Sequence, residues 1–214
     1  MTLISIEGNI GSGKSTILKL LKQKSDKSII FIDEPVSEWQ TIKDSSGKNI
    51  LELFYANKQR YSFTFQILAY ITRLRKILDV IKKEQHKIII MERSIYTDKF
   101  VFAKMLYENG FIEEIEWKTY NYWFDTFKDS TQLNGIVYVN TKPEICFERI
   151  KKRNRNGESN IEMNYLKECH QKHLDWINNE SISVLRIDGN QEFENNSNIE
   201  NEILSTSNKF FYLL

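Results

Sequence analysis

The stretch "IEGNIGSGKST", residues 6–16, decides the architecture. Gly8, Gly13, Lys14 and Ser15 complete the spacing G-x-x-x-x-G-K-S. Glycines so spaced let backbone N–H groups turn inward on a chain of phosphates, with the lysine reaching the outer phosphates and the serine hydroxyl available to Mg²⁺. Gly8, Asn9, Ile10, Gly11, Ser12, Gly13, Lys14, Ser15 and Thr16 therefore form a candidate phosphate loop. The context is right on both sides. The apolar run "LISIE" (3–7) precedes it, and Ile17, Leu20 and Leu21 follow at helical spacing, so a helix N-terminus adds its positive end. The stretch reads as a nucleoside triphosphate site.

Outward from this loop, further β-branched runs occur at "SIIFIDE" (28–34), "KIIIME" (87–92) and "GIVYVN" (135–140), with a weaker one at "SVLRID" (183–188). Unbroken apolar character marks strands buried on both faces of a parallel sheet. Helical spacing fills the intervals: Phe63, Ile67, Tyr70, Ile71 and Leu74 share a face within about 59–83. Strands alternating with helices predict an α/β domain that binds ligands at the strands' carboxyl ends. Both prolines, Pro35 and Pro143, lie just past strand ends; "QEFENNSN" (191–198) reads as a loop, and a terminal helix is expected from Ile199.

The bulk numbers exclude several classes. With 30 basic and 29 acidic residues the net charge is +1, which argues against a dedicated nucleic-acid binder. No apolar run reaches the roughly 18 residues of a membrane span. The loop begins at Gly8, leaving no room for a leader, so a soluble cytoplasmic protein without membrane or nucleic-acid partners is expected. Cys146 and Cys169 fit no metal or redox spacing and read as packing residues.

Other residues bear on what receives the phosphate. "NKQR" (57–60) lacks the aspartate of a guanine-reading motif. The third strand ends in "MERS", where the Glu92 carboxylate can organise Mg²⁺ through water. Arg93 beside it is unexpected in a plain ATPase and suggests a second anionic or hydroxyl-bearing partner. After the second strand comes "DEPVSEW" (33–39). Glu34 there can take a proton from an attacking hydroxyl, or it can be a solvated acid at a strand end. Spacing alone leaves both open.

Taken together, "EGNIGSGKST", "DEPVSEW", "RYSFTFQ", "ERSIYTDKFVFA" and "RIKKRNR" with its trailing Glu158 resemble the deoxynucleoside kinase family in order and spacing. The likeness is nearest to the deoxycytidine and deoxyguanosine kinase branch and covers roughly residues 2–193. It implies a P-loop NTPase fold: a five-stranded parallel sheet flanked by helices, order 2-3-1-4-5, as one domain over 1–214 with an arginine-rich lid at about 149–162. The implied reaction moves the γ-phosphate of ATP, or another NTP, with Mg²⁺, to the 5′-hydroxyl of a deoxyribonucleoside.

Residue by residue, the resemblance makes Glu34 the base, has Arg93 hold the hydroxyl and Glu34 in line, and sets Lys14 on the donor phosphates with Ser15 and Glu92 at the metal. Tyr55 and Glu158 would meet the sugar 3′-hydroxyl, leaving little room for a 2′-hydroxyl. Gln66, Ala69 or Tyr70, and Arg73 share one helix face, and Gln66 can pair with a base edge. Phe65 and Phe102 would sandwich the base, Trp39 would close the wall, and Val36, Leu51 and Phe54 would complete the pocket; on a helix face alone, without the resemblance, such aromatics read as core packing. Arg73 and Asp98 accompany acceptance of cytosine or purine bases over thymine in this family, whereas as an ordinary surface ion pair they would predict no selectivity.

In the basic run, Arg149 and Arg153 share a helix face and Arg155 leaves it if the helix continues. The run suits a solvated face or, by resemblance, a lid closing its arginines over the donor phosphates. "DGNQEF" (188–193) resembles the loop over the donor base, with Glu192 and Phe193 placed to meet it. The chain departs from the family at Gly157, where relatives often carry a second acid, and at "SNIEM" (159–163), which replaces a Gly-Ile-Pro-like turn. Both bear on lid geometry and donor preference. Homodimerisation through helices around 60–83 and 98–128, and feedback by a deoxynucleoside triphosphate, are further family expectations. The competing readings are a thymidylate-kinase-like enzyme and a non-catalytic nucleotide-binding subunit.

Overall fold

The computed structural model describes every residue except 27, 85, 86, 156, 159, 194 and 195. The portions of the expected lid, of the "SNIEM" turn and of the 191–198 loop at those positions lie outside the described residues. Five strands, β1 (Thr2–Glu7), β2 (Ile30–Ile32), β3 (Ile88–Glu92), β4 (Gly135–Asn140) and β5 (Ser183–Asp188), form one parallel sheet in the order β2-β3-β1-β4-β5.

The central strands show why unbroken apolar runs were needed. Leu3, Ile89, Met91, Ile136 and Tyr138 point to one face, Ile4, Ile6, Ile90, Val137 and Val139 to the other, and all are buried. Side chains alternate across a strand, so a strand covered on both sides must be apolar at every step. The second face is covered by α1 (Lys14–Lys24) and α10 (Ser197–Leu213), through Ile17, Leu18, Leu21, Ile203 and Phe211. The first face carries α2 (Val36–Thr41), α3 (Ile50–Ala56), α4 (Lys58–Lys83), α7 (Glu114–Phe127) and α9 (Met163–Asn179). Between β3 and α7, α5 (Ile95–Thr97), a π-helical turn (Asp98–Ala103) and α6 (Lys104–Glu108) follow one another directly. α8 (Pro143–Arg153) starts on Pro143 in its first turn, where a missing N–H costs nothing.

Three boundaries differ from the sequence reading. β2 is three residues long rather than 28–34, because at this sheet edge a turn around Asp26 precedes it and residues 33–35 leave the ladder towards α2. Asp33 and Glu34 thus sit in the loop between β2 and α2. α10 begins at Ser197, with the Asn196 side chain accepting from the Ile199 amide. The α4 face is rotated from the expected apolar stripe. Ile71 is 43% exposed and Phe63 and Ile67 are half-buried, while Phe65, Gln66, Ala69, Tyr70, Thr72, Arg73 and Leu74 are buried. Polar residues turn inward there because the inner face borders a cavity.

Ile6 of β1 is fully buried in the centre of the sheet. Ile6→Ala is expected to lower unfolding stability by about 2–5 kcal/mol, read as a drop in urea midpoint at constant slope; an unchanged midpoint would contradict this packing.

Candidate active site

A cavity of about 570 Å³ opens where the segments after β1, β2 and β3 converge. Its floor is the glycine loop. Gly8 has φ +145°, and a Cβ there would lie 2.6 Å from the Val139 carbonyl; at Gly11 it would lie 2.6 Å from the Cys146 carbonyl. The loop therefore runs tight against β4 and α8. Gly8, Asn9 and Ser12 lie beneath rather than on the lining: Asn9 Nδ2 donates to the Leu166 carbonyl at 2.8 Å, and the Ser12 carbonyl accepts from Thr141 Oγ1 at 2.9 Å. Ile10, Gly11, Gly13, Lys14, Ser15 and Thr16 do line the cavity.

Lys14 Nζ donates to the Asn9 carbonyl at 2.7 Å, and burial, assisted by Arg93, lowers its pKa to about 8. Ser15 Oγ donates to Glu92 Oε1 at 2.7 Å. The first turn of α1 and the end of β3 thereby bring a hydroxyl and a carboxylate together at one point.

Beside this pair stands a cluster of opposite charges. Glu34 Oε1 accepts from Arg73 NH2 at 3.0 Å and from Arg93 Nε at 3.1 Å. Arg73 has no free donor nitrogen: Nε and NH2 reach Asp98 at 2.9 and 3.3 Å, and NH1 reaches the Glu92 carbonyl at 2.9 Å. Arg93 donates through NH1 to the Gly8 carbonyl at 3.0 Å and lies over the Phe102 ring. Burial pushes the Glu34 carboxyl up, but Arg93, Arg73 and Lys14 together hold it at about 2. Burial also raises the pKa of Asp98, against the pull of Arg73. Arg73 and Asp98 are each only 3% exposed, so the surface ion pair considered from sequence is overturned. Arg93 adopts φ +63°, a left-handed conformation that costs a non-glycine residue about 1–3 kcal/mol and persists where the surroundings over-determine it.

The remaining wall is aromatic. Trp39 meets Phe65 edge-on at 5.4 Å and donates from Nε1 to Thr72 Oγ1 at 2.9 Å. Val36, Leu51, Tyr55, Ala69 and Phe102 also line the space. Ala69 faces it; Tyr70 instead donates to the Trp123 carbonyl on the outer side of α4. Phe54 corrects the sequence reading: it is fully buried behind the wall, its ring 4.9 Å from Phe65 and 4.8 Å from Tyr55, and it supports the lining without joining it. Gln66 is 2% exposed, lines the cavity, and its Oε1 has no partner among the described residues. A buried, unpaired amide oxygen is costly unless a ligand completes it.

At the far rim, Asn154 takes φ +46° and ends α8. The chain turns back there, so Arg155 does not diverge. It reaches Glu158 Oε1 at 3.3 Å while Arg153 reaches Oε2 at 2.5 Å. Arg149 differs from the other two. Its guanidinium donates to the carbonyls of Ser12, Gly189 and Gln191, tying the 189–191 turn to the glycine loop. Phe193 is buried against Gly13, with Glu192 beside it on the lining.

The model of the deoxynucleoside kinase family matches residues 4–212. This chain belongs to the deoxynucleoside kinase family. A fowlpox virus protein named as a probable deoxycytidine kinase is 38% identical over 210 residues, covering 94% of this chain and 85% of that one. Deoxycytidine kinase 2 of Gallus gallus is 36% identical over 238 residues, covering 97% and 89%. The mitochondrial deoxyguanosine kinase of Xenopus laevis is 34% identical over 228 residues, covering 94% and 86%.

Two lining residues of this kinase escaped the sequence reading: Lys152 and Tyr165. Lys152 was one cation among several in a basic run. Tyr165 lies on the buried face of α9 with Leu166, Cys169 and His173, where an aromatic is indistinguishable by spacing from a core residue. Its only signal was a hydroxyl at the head of that face. Its ring stands edge-on to Tyr55 at 6.2 Å.

The Glu34 carboxyl gives a direct electrostatic test. Replacing both members of the buried pair, Arg73→Met with Asp98→Ala, is expected to move its NMR titration midpoint up from about 2 towards the ordinary carboxyl range. An unmoved midpoint would mean that Arg73 does not set it. Since the folded pKa lies below the ordinary 4.5, the associated stability is present above that value and is lost as the pH falls towards 2.

Proposed function

We propose that this enzyme transfers the γ-phosphate of ATP to the 5′-hydroxyl of deoxycytidine or a purine deoxynucleoside, in nucleoside salvage. The observation that carries the reading is one cavity holding both the glycine loop and a carboxylate gripped by two arginines. The loop amides of residues 8–15 and Lys14 would hold the donor phosphates, in a P-loop arrangement. The 5′-hydroxyl donates to Glu34 and lies against Arg93. A carboxylate at about 2 is a weak base, so Glu34 acts chiefly by aiming the hydroxyl and takes its proton late. That suits a loose phosphoryl transfer governed by positioning and charge.

The metal site suits Mg²⁺. Ser15 and Glu92 offer one hydroxyl and one carboxylate, and among the described residues no cluster of three metal-binding side chains competes for the ion. Mg²⁺ usually takes one or two protein ligands plus phosphates and water. When bound it would neutralise charge on the donor phosphates. Segment 149–162 would serve as a lid, with Arg153 and Arg155 turned to the transferring phosphate and Arg149 fixing the donor-base loop of Glu192 and Phe193.

For the acceptor, Gln66 would complete its amide with a base edge between Phe65 and Phe102, while Tyr55 and Glu158 take the 3′-hydroxyl. A 5-methyl pressed on the desolvated Arg73–Asp98 pair would gain nothing and displace hydrogen-bonding partners, so thymidine is disfavoured. A nucleoside monophosphate acceptor would need arginines free of Glu34, and both are engaged. Intact Lys14, Glu34 and Arg93 disfavour a non-catalytic subunit. A deoxynucleoside triphosphate with its base at Gln66 and its phosphates on the loop would inhibit against both substrates. Ile71 on α4, with Ile115, Tyr122 and Trp123 on α7, leaves exposed apolar surface fit for a homodimer. Among the described residues no helix is long and apolar enough to cross a membrane, and a single cytoplasmic domain over 1–214 is the simplest form.

The deciding assay offers deoxycytidine, deoxyadenosine, deoxyguanosine and thymidine with ATP and Mg²⁺. A 5′-monophosphate from at least one of the first three, with thymidine poorest, is expected. Thymidine as best substrate would overturn the pocket reading, and product from monophosphates alone would overturn the acceptor class. Because Lys14 loses its proton near pH 8 in the free enzyme, ATP affinity should fall as the pH rises through 8. In Lys14→Arg that alkaline limb should vanish; its persistence would assign it elsewhere.

A further inference from the structure

One buried acid takes no part in the cavity. Glu7, the last residue of β1, is fully enclosed and does not line the site. Among the described residues it forms no ion pair. Burial raises its pKa, and a carboxyl group in such surroundings is expensive unless its oxygens are hydrogen-bonded. Both are satisfied by hydroxyls from one distant segment. Ser94 Oγ donates to Oε1 at 2.8 Å, and Thr97 Oγ1 donates to Oε2.

Residues of the acceptor group flank those hydroxyls in the chain. Arg93, in its left-handed conformation, immediately precedes Ser94, and Asp98, the partner of Arg73, immediately follows Thr97. Ser94 also caps α5 by accepting from the Thr97 amide at 3.4 Å. The next residue after Glu7 is Gly8, first of the glycine loop, whose carbonyl accepts from Arg93. Residues 7–8 and 93–98 are thus joined at three points across the β1–β3 pair.

We propose that Glu7 is a positioning residue that sets the distance between the donor loop and the Arg93–Glu34 acceptor group. It touches neither substrate and acts through Ser94 and Thr97. Without it the loop and the pocket each persist, joined through the Arg93–Gly8 bond and the β1–β3 pairing, but residues 94–98 lose both side-chain ties that hold them against residue 7. Phosphoryl transfer is sensitive to such spacing, since a misplacement of about 1 Å can cost roughly 100-fold in rate. The inference rests on the reading of the loop as donor site and Glu34 as acceptor group.

The test compares wild type with Glu7→Gln, Thr97→Val, the double variant and Thr97→Ser. Turnover would be measured beside calorimetric Kd values and binding stoichiometry for ATP and for deoxycytidine. The expected result is a kcat reduced ~10–100-fold in Glu7→Gln and Thr97→Val, with both Kd values within about threefold and full stoichiometry. Thr97→Ser should keep wild-type turnover, and the double variant should be little worse than either single one, as for residues acting through one contact. A purely structural role would instead lower stoichiometry or melting temperature while turnover per competent site stayed constant, and that outcome would overturn the proposal. So would additive losses, or a Glu7→Gln kcat within twofold of wild type. If Glu7→Gln does not fold, the Thr97→Val and Thr97→Ser pair carries the same decision. Wild type inactive on every nucleoside would sink the functional reading itself; active wild type with indifferent variants would remove only the role of Glu7.

Discussion

Everything at the site depends on keeping the Glu34 carboxylate between two guanidinium groups out of water. Arg73 and Arg93 are almost wholly buried and Glu34 is 17% exposed. Such charges are tolerable only when each is paired and hydrogen-bonded, and removing one partner from a buried pair costs about 3–5 kcal/mol. Arg73 is therefore anchored a second time by Asp98 and a third by the Glu92 carbonyl. The arrangement spans α4, β3, the loop after β2 and the π-helical turn, so four separate segments must be correctly placed before the cluster can exist. π-helical turns are rare and recur at functional sites; this one carries Asp98 and Phe102 to the cavity.

The sheet supplies the registration. β1 and β3 pair Ile6 with Glu92, so Gly8 and Arg93 emerge side by side at the carboxyl edge. A slip of one residue would send every side chain to the opposite face, and both faces are closed by packed apolar residues. The same pairing that builds the core thus fixes the separation of the glycine loop from Arg93, which grips the Glu34 carboxylate. The geometry of the proposed site and the stability of the fold share one set of contacts there.

Much of this was legible in the sequence, for physical reasons. Buried parallel strands must be apolar throughout, so β1, β3 and β4 stood out, and the spacing of Gly8, Gly13, Lys14 and Ser15 announced the loop between a strand and a helix. Strand β2 was overdrawn because Asp33 and Glu34 continue an apolar run that the sheet edge abandons. The face of α4 was misread because hydrophobic spacing assumes an apolar interior, whereas Gln66 and Arg73 turn inward to a polar cavity. The turn that returns Arg155 to Glu158 uses positive φ at Asn154 and Gly157, which no periodicity reveals. Glu7 passed as the end of a strand, since only long-range contacts expose its partners.

The most direct measurement is the single-turnover rate of phosphate transfer in Glu34→Gln with deoxycytidine and ATP at saturation, beside the calorimetric Kd for each. If Glu34 aims the acceptor hydroxyl, the rate should fall by roughly 10²–10⁴ while both Kd values stay close to wild type. A rate near wild type would contradict the account, because the group around which the cavity is organised would then have no part in the transfer.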